Sequence, residues 1–209
     1  MQSIQTVSEN TIYVGASDRR LAKFENLFPI PRGVSYNAYV ILDEKTALLD
    51  TADASVGAQF LENVAAALDG RKLDYLIVDH MEPDHAAMIE AVLVRWPDLR
   101  LVVNAKTLPM LKMYFPTDNA AIDDALVVKE GDTLDLGKHK LTFVMAPMVH
   151  WPEVMMTFDT TTGTLFSADA FGTFGALEGA LFADEVDFAG KWLDDARRYY
   201  TNIVGKYGA

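Results

Sequence analysis

The residues of this chain best equipped for chemistry lie in one short run, Asp79-His80-Met81-Glu82-Pro83-Asp84-His85. Imidazole nitrogens mixed with carboxylate oxygens form the donor set of a metal site that uses no thiolate. In an extended stretch side chains alternate in direction, so His80, Glu82 and Asp84 can point the same way. A turn into a following helix then brings His85 round beside them, and such a cluster can hold two adjacent ions. The competing reading is a polar loop in which Asp84 caps a helix and both histidines face solvent, but capping accounts for Asp84 alone. The chain has only four histidines, two of them in this run of acids, which favours the metal. His150 and Asp169 each follow a later β-like segment and are weak signals singly. They gain weight because strand ends on one edge of a sandwich converge, and loops there carry functional groups.

Composition narrows the chemistry further. The 209 residues are 50% hydrophobic and 23% charged, as in a globular chain, and a formal charge of -12 repels phosphate backbones, so nucleic acid is not an expected partner. Cysteine is absent, which excludes disulfides, thiolate zinc sites, cysteine-held iron-sulfur clusters and cysteine nucleophiles. Any metal must therefore be held by His and carboxylate. The longest uncharged apolar segment, Leu141 to Val149, is far too short to span a bilayer, and Met1 to Thr6 carries no basic stretch leading into an apolar run. No membrane association and a cytoplasmic location are expected.

The elements that must position these residues read as follows. Thr11 to Gly15 is β-like, and Asn37 to Leu42 and Thr46 to Asp50 suit a hairpin around Asp43-Glu44-Lys45. Val56, Phe60, Val64 and Leu68 recur every fourth residue between Asp53, a helix start, and Gly70, a helix stop. Leu73 to Val78 and Leu99 to Val103 read as strands, Ala87 to Val94 and Thr107 to Tyr114 as helices, while Phe24 to Gly33 reads as a loop. From Ala125 the texture turns to β, with Ala125 to Val128, Thr133 to Leu136, Lys140 to Met145, Val154 to Phe158 and Thr164 to Ser167 separated by Gly and Pro. Trp192, Ala196, Tyr199 and Ile203 mark one face of a helix starting near Asp184. This order predicts one α/β domain over residues 1–209, two stacked sheets with helices outside.

The sequence resembles the metallo-β-lactamase-like domain of the flavodiiron proteins, the flavin-partnered oxygen and nitric oxide reductases. Their signature His-x-Glu-x-Asp-His, a more distant His and an Asp beyond it is matched by His80-x-Glu82-x-Asp84-His85, His150 and Asp169. The similarity extends to Asp18-Arg19-Arg20, Gly33-Val34-Ser35-Tyr36-Asn37, Leu49-Asp50-Thr51, His150-Trp151-Pro152 and Phe166-Ser167-Ala168-Asp169-Ala170-Phe171-Gly172, so it covers nearly the whole chain. It implies a four-layer αββα sandwich with two non-haem iron ions. His80, Glu82 and His150 would hold one, Asp84 and His85 the other, and Asp169 would bridge them. Asp50 would orient a ligand histidine through a hydrogen bond. Tyr199 and Tyr200 match a Tyr-Tyr pair of the family, where one donates a hydrogen bond toward the site; packing on a helix face is the weightier alternative. Trp151, Phe171 and Phe174 either line a route for a small gas or, as favoured, belong to the core.

Hydrolases of the same superfamily carry His where this chain has Glu82, and the added carboxylate favours iron over zinc. The resemblance implies reduction of O2 to water or of NO to nitrous oxide. Electrons would come from FMN on a flavodoxin-like domain or partner subunit, or from a rubredoxin-type donor, in a head-to-tail homodimer. Two departures matter. The family's last His ligand has no counterpart, because His139 reads as a solvent-facing turn residue, and the flavodoxin-like domain is absent; C-terminal truncation is expected. Two other functions stay open, an oxygen-binding or oxygen-sensing diiron protein and a zinc-dependent hydrolase.

Overall fold

Along the strands apolar residues fall on alternate positions, and that period of two decides which face of each sheet meets which partner. The computed structural model describes residues 3–115 and 120–207. Its strands are β1 (Gln5–Ser8), β2 (Thr11–Tyr13), β3 (Ala16–Asp18), β4 (Lys23–Phe24), β5 (Phe28–Pro29), β6 (Val34–Tyr36), β7 (Tyr39–Leu42), β8 (Thr46–Leu49), β9 (Tyr75–Ile77), β10 (Arg100–Asn104), β11 (Leu126–Val128), β12 (Thr133–Asp135), β13 (Lys140–Met145), β14 (Met155–Asp159) and β15 (Thr164–Phe166). The α-helices are α1 (Gly57–Leu68), α2 (Pro83–Ala86), α3 (Ile89–Arg95), α4 (Thr107–Tyr114), α5 (Ala120–Asp123), α6 (Phe188–Lys191) and α7 (Leu193–Tyr199), the last running on as a wider helical turn to Val204. No helix of the described residues is long and apolar enough to cross a membrane.

The fold is mixed α/β. One sheet has the order β1-β2-β7-β8-β9-β10-β11, antiparallel from β1 to β8 and parallel from β8 to β11, and a second has the order β12-β13-β14-β15, all antiparallel. Leu48, Leu76 and Leu101 face the helices, where Phe60, Val64 and Leu68 of α1, Val92 of α3 and Leu111 of α4 cover them. Their neighbours Ala47, Leu49, Ile77 and Val102 face the second sheet and pack on Leu141, Phe143, Met155 and Phe166. Helices, first sheet and second sheet are thus stacked layers. On the outer face of the second sheet Val144 and Leu165 are exposed.

Several boundaries follow from local chemistry. Asp53 accepts a hydrogen bond from the Ser55 amide just before α1, and Asp69 at φ 47 and Gly70 at φ 81 end that helix in the left-handed region. Thr107–Tyr114 and Lys140–Met145 fall where the periodicity predicts them. Phe24 to Gly33 is not a plain loop, because β4 and β5 pair across the turn at Glu25 and Asn26. Nor does the segment at Ala125 open the second sheet. β11 pairs parallel with β10, so the second sheet begins at β12.

His139 corrects another expectation. The turn between β12 and β13 docks on the turn after β7, where the His139 amide donates to Asp43, and the imidazole is 1% exposed. Its Nδ1 lies 2.8 Å from Asp159 at the far end of β14. Asp159 also accepts from the Thr161 amide and the Thr162 hydroxyl. Replacing Asp159 by Ala leaves the buried His139 imidazole without its partner and releases the Thr161 and Thr162 donors to solvent. The expected cost is about 3 kcal/mol in urea unfolding, with metal binding at the opposite end of the sandwich unchanged.

Candidate metal centre

The loops that follow the carboxyl ends of β8 and β9 meet those after β13 and β15 at one end of the sandwich. Asp50 closes β8 in the left-handed region, at φ 55, with its amide held by the Ile77 carbonyl. Asp79 to Glu82 follow β9, and Pro83 then starts α2 at the position where a missing N–H costs nothing. His150 comes from the loop after β13 and Asp169 from the turn after β15. The result is two groups of donors that share one residue: His80, Glu82, His150 and Asp169 in the first, Asp84, His85 and Asp169 in the second.

Distances within the groups resemble those between ligands of one ion. His80 Nε2 lies 3.3 Å from both Glu82 Oε2 and Asp169 Oδ2, and His150 Nε2 lies 2.9 and 3.1 Å from the same two oxygens. His85 Nε2 lies 3.2 Å from Asp169 Oδ1 and 3.9 Å from Asp84 Oδ2. Bonds of about 2.0–2.2 Å to a common metal place neighbouring donors roughly 3 Å apart. The far sides of two rings are engaged by carboxylates: His80 Nδ1 with Glu153 at 2.7 Å and His85 Nδ1 with Asp50 at 3.0 Å. Each hydrogen bond leaves the Nε2 atom turned into the cluster.

Electrostatics points the same way. Burial works against an imidazolium at His80, but hydrogen bonds to Asp169, Glu153 and Glu82 overcome it and push the group up to about 11. His150 goes up to about 9 by the same contest, with Asp169 and Glu82 prevailing over burial. His85 is raised despite burial by Asp84 and Asp169. Burial raises Asp84 to about 6, and its Oδ1 is buried without a hydrogen-bond partner. Burial also opposes ionisation of Asp169, yet the three imidazoles hold it well below the usual carboxylate range. Protons on these imidazoles occupy the places where metal charge would stand. The donors present therefore fit divalent ions, and the orphaned Asp84 oxygen is one that an ion would satisfy.

A family model described as ODP family beta lactamase matches residues 34–202 of the chain. The chain belongs to this family. Its relatives include the nitric oxide reductase of Moorella thermoacetica, 37% identical over 200 residues, an alignment covering 95% of this chain and 49% of that one. Among solved structures, rubredoxin oxygen:oxidoreductase from Desulfovibrio gigas superimposes with a TM-score of 0.90 at 32% identity, covering 98% of this chain and 50% of the other. The flavodiiron protein from Giardia intestinalis gives 0.89 at 27% identity, covering 99% and 49%. The ODP-family chain thus spans about half the length of these relatives. The sandwich is metallo-β-lactamase-like, as the resemblance implies.

In this ODP-family chain all six sequence candidates, His80, Glu82, Asp84, His85, His150 and Asp169, are brought together. Asp50 touches His85 and also accepts from the Asp79 amide at 2.7 Å. Tyr199 donates its O–H to Asp169 Oδ1 at 2.5 Å while its ring packs edge-on to Phe174 at 5.1 Å, so it both packs and reaches the cluster. Gly172 leaves room for that ring, since a Cβ there would stand 2.7 Å from it. Tyr200, one residue on and so turned about 100° around the helix, is 51% exposed and lies away from the cluster. Phe174 is core, Phe171 is 84% exposed, and Trp151 stands edge-on to His80 at 5.3 Å.

Glu153 and Glu25 escape the sequence reading, and Asp79, although part of the run quoted there, is given no role by it. Glu153 and Asp79 are buried beside the donors, Asp79 with its carboxyl raised by burial and by Asp50. Glu25, on the turn between β4 and β5, is raised to about 7 by a hydrogen bond with Glu82 and by burial. The only sequence signal for Glu153 is an acid placed directly before an apolar strand and next to His150-Trp151-Pro152. Tyr199→Phe keeps the ring contact and removes a hydrogen bond to a charged acceptor. It is expected to cost the metal-free chain about 2 kcal/mol in urea unfolding.

Proposed function

We propose that this chain is the diiron portion of a flavodiiron-type reductase, acting on O2 or NO. The observation that carries the reading is the pair of donor groups sharing Asp169, with Glu82 standing among the imidazoles of the first. His80, Glu82 and His150 would hold one ion, Asp84 and His85 the other, with Asp169 between them. A ferrous pair bound there supplies electrons and open coordination positions for a diatomic gas.

The chain's own residues would prepare that site in several ways. Asp50 and Glu153 hold the His85 and His80 rings in one orientation. Tyr199 fixes Asp169 through its O–H, so the shared carboxylate keeps one rotamer. Trp151 shields the His80 ring edge-on. Glu25 faces Glu82 from the turn between β4 and β5, and its carboxyl is raised to about 7 by that contact. A carboxylate in the first group offsets the charge of ferric iron better than a further imidazole, which supports iron over zinc.

The Moorella relative is named for nitric oxide and the Desulfovibrio relative for rubredoxin and oxygen. On that footing the reading includes FMN on a flavodoxin-like domain or partner subunit, a rubredoxin-type donor, a head-to-tail homodimer and a cytoplasmic setting, with residues 1–209 as one domain. The test is anaerobic loading with ferrous iron followed by stopped-flow mixing with O2 or NO. Two irons per chain and a single burst of gas consumption are expected, with no sustained turnover until a flavin donor is added. Zinc retained in preference to iron, or no gas consumed, rejects the proposal. Glu82→His is expected to raise the zinc-to-iron ratio of chain grown in both metals, read by elemental analysis.

A further inference from the structure

We propose that Glu153 is the positioning residue of the first donor group, fixing which nitrogen of His80 faces a metal and how far apart two loops hold their donors. The inference rests on the metal-centre reading above. Glu153 is 1% exposed, and a single oxygen, Oε1, accepts from His80 Nδ1 at 2.7 Å and from the Met81 amide at 2.9 Å. With Nδ1 engaged on the side away from the cluster, Nε2 is left as the atom that can ligate. The other oxygen of Glu153 is buried without a hydrogen-bond partner. A carboxylate so placed is costly, so what Oε1 does must account for it.

The backbone around Glu153 is anchored as firmly as its side chain. Its carbonyl accepts from Asn104 Nδ2 at 2.5 Å, and Asn104 Oδ1 in turn accepts from the amides of Lys106 and Thr107 where α4 begins. Lys106 Nζ donates to the neighbouring Pro152 carbonyl at 3.0 Å, and the Met155 amide donates to the Asp79 carbonyl at 3.0 Å. Glu153 therefore ties the loop that carries His150 to the loop that carries His80 and Glu82. Those three are the donors that belong to the first group alone. Asp50 serves the second group in the same manner, through His85 Nδ1 and the Asp79 amide. Each of the two rings, His80 and His85, has its own supporting carboxylate, although Asp50 also accepts from the His80 amide at 3.4 Å.

This division predicts selectivity that a merely structural role would not produce. The test titrates the metal-free 209-residue chain with Co2+, following visible absorption and bound metal. The wild-type chain is expected to take up two ions. Glu153→Ala is expected to weaken one of them by about 10–100-fold and to alter its absorption band, leaving the other ion as in the wild type. Glu153→Gln, which keeps volume and an acceptor for the Nδ1–H, is expected to recover part of the loss. Asp50→Asn is expected to weaken the opposite ion. Equal weakening of both ions by Glu153→Gln, or wild-type binding in both Glu153 variants, overturns the inference while the metal centre stands. A wild-type chain that binds no Co2+ removes the metal centre itself, and this inference with it.

Discussion

Negative charge cannot be gathered inside a protein unless positive charge is gathered with it, and this chain gathers a great deal in one place. Asp50, Asp79, Glu82, Glu153 and Asp169 are buried at one end of the sandwich and Asp84 nearly so, beside His80, His85 and His150. Taking one isolated carboxylate out of water costs several kcal/mol even after relaxation. In the metal-free chain protons on the imidazoles, and on carboxyls such as Asp79, are what make the arrangement tolerable. Divalent ions supply the same charge in less space and satisfy oxygens that protons leave without partners. The donor geometry, the hydrogen bonds behind it and the surrounding backbone all answer to this requirement.

The backbone meets it by accepting strain where strands end. Asp50 at φ 55 and Ala168 at φ 48 are left-handed residues that are not glycine, one supporting His85 and the other directly preceding Asp169. Such conformations cost roughly 1 kcal/mol or more and persist only where the surroundings over-determine them. At Asp50 the determinants are visible: its amide is held by Ile77, and its two oxygens are taken by the Asp79 amide and the His85 ring. Glycine would relax the backbone there and remove both acceptors. The sequence therefore keeps the strained residue, since the carboxylate is needed at that point. The Phe24 and Phe28 rings of β4 and β5 lean on Phe174, and Phe174 leans on Tyr199, so the turn bearing Glu25 is tied through aromatic contacts to the Asp169 hydrogen bond.

What was legible in the sequence was whatever depends on local spacing. His80 to His85 announced a donor cluster because four ligand side chains crowd into one strand-to-helix turn. The fourfold period from Val56 to Leu68 announced α1 because one helix face needs little beyond a sheet to lie on. Features set by distant contacts were not legible. The support Glu153 gives His80 spans 73 positions, and nothing near either residue states it. His139 looked exposed because Gly137 and two lysines surround it, yet the turn it sits in docks on another turn nearly a hundred positions earlier. β11 joined the first sheet because a strand's sheet is chosen by its edge partner, and no periodicity encodes that choice. Tyr199 and Tyr200 differ by one step around a helix, so only the packing of that helix decides which of them reaches Asp169.

The residue that the two donor groups share carries the last step. A cavity of about 300 Å³ lined in part by Asp84, His85, Asp169 and Tyr199 opens beside the second donor group. Asp169 belongs to both groups, so a displacement at one is felt at the other through a single carboxylate. Tyr199 restrains that carboxylate, and it reaches it from a helix that packs on the helix-side core and not from any of the loops that carry donors. Part of the centre's rigidity is thus drawn from the main core of the fold, and it adds to the restraint that Asp50 and Glu153 supply from the loops themselves.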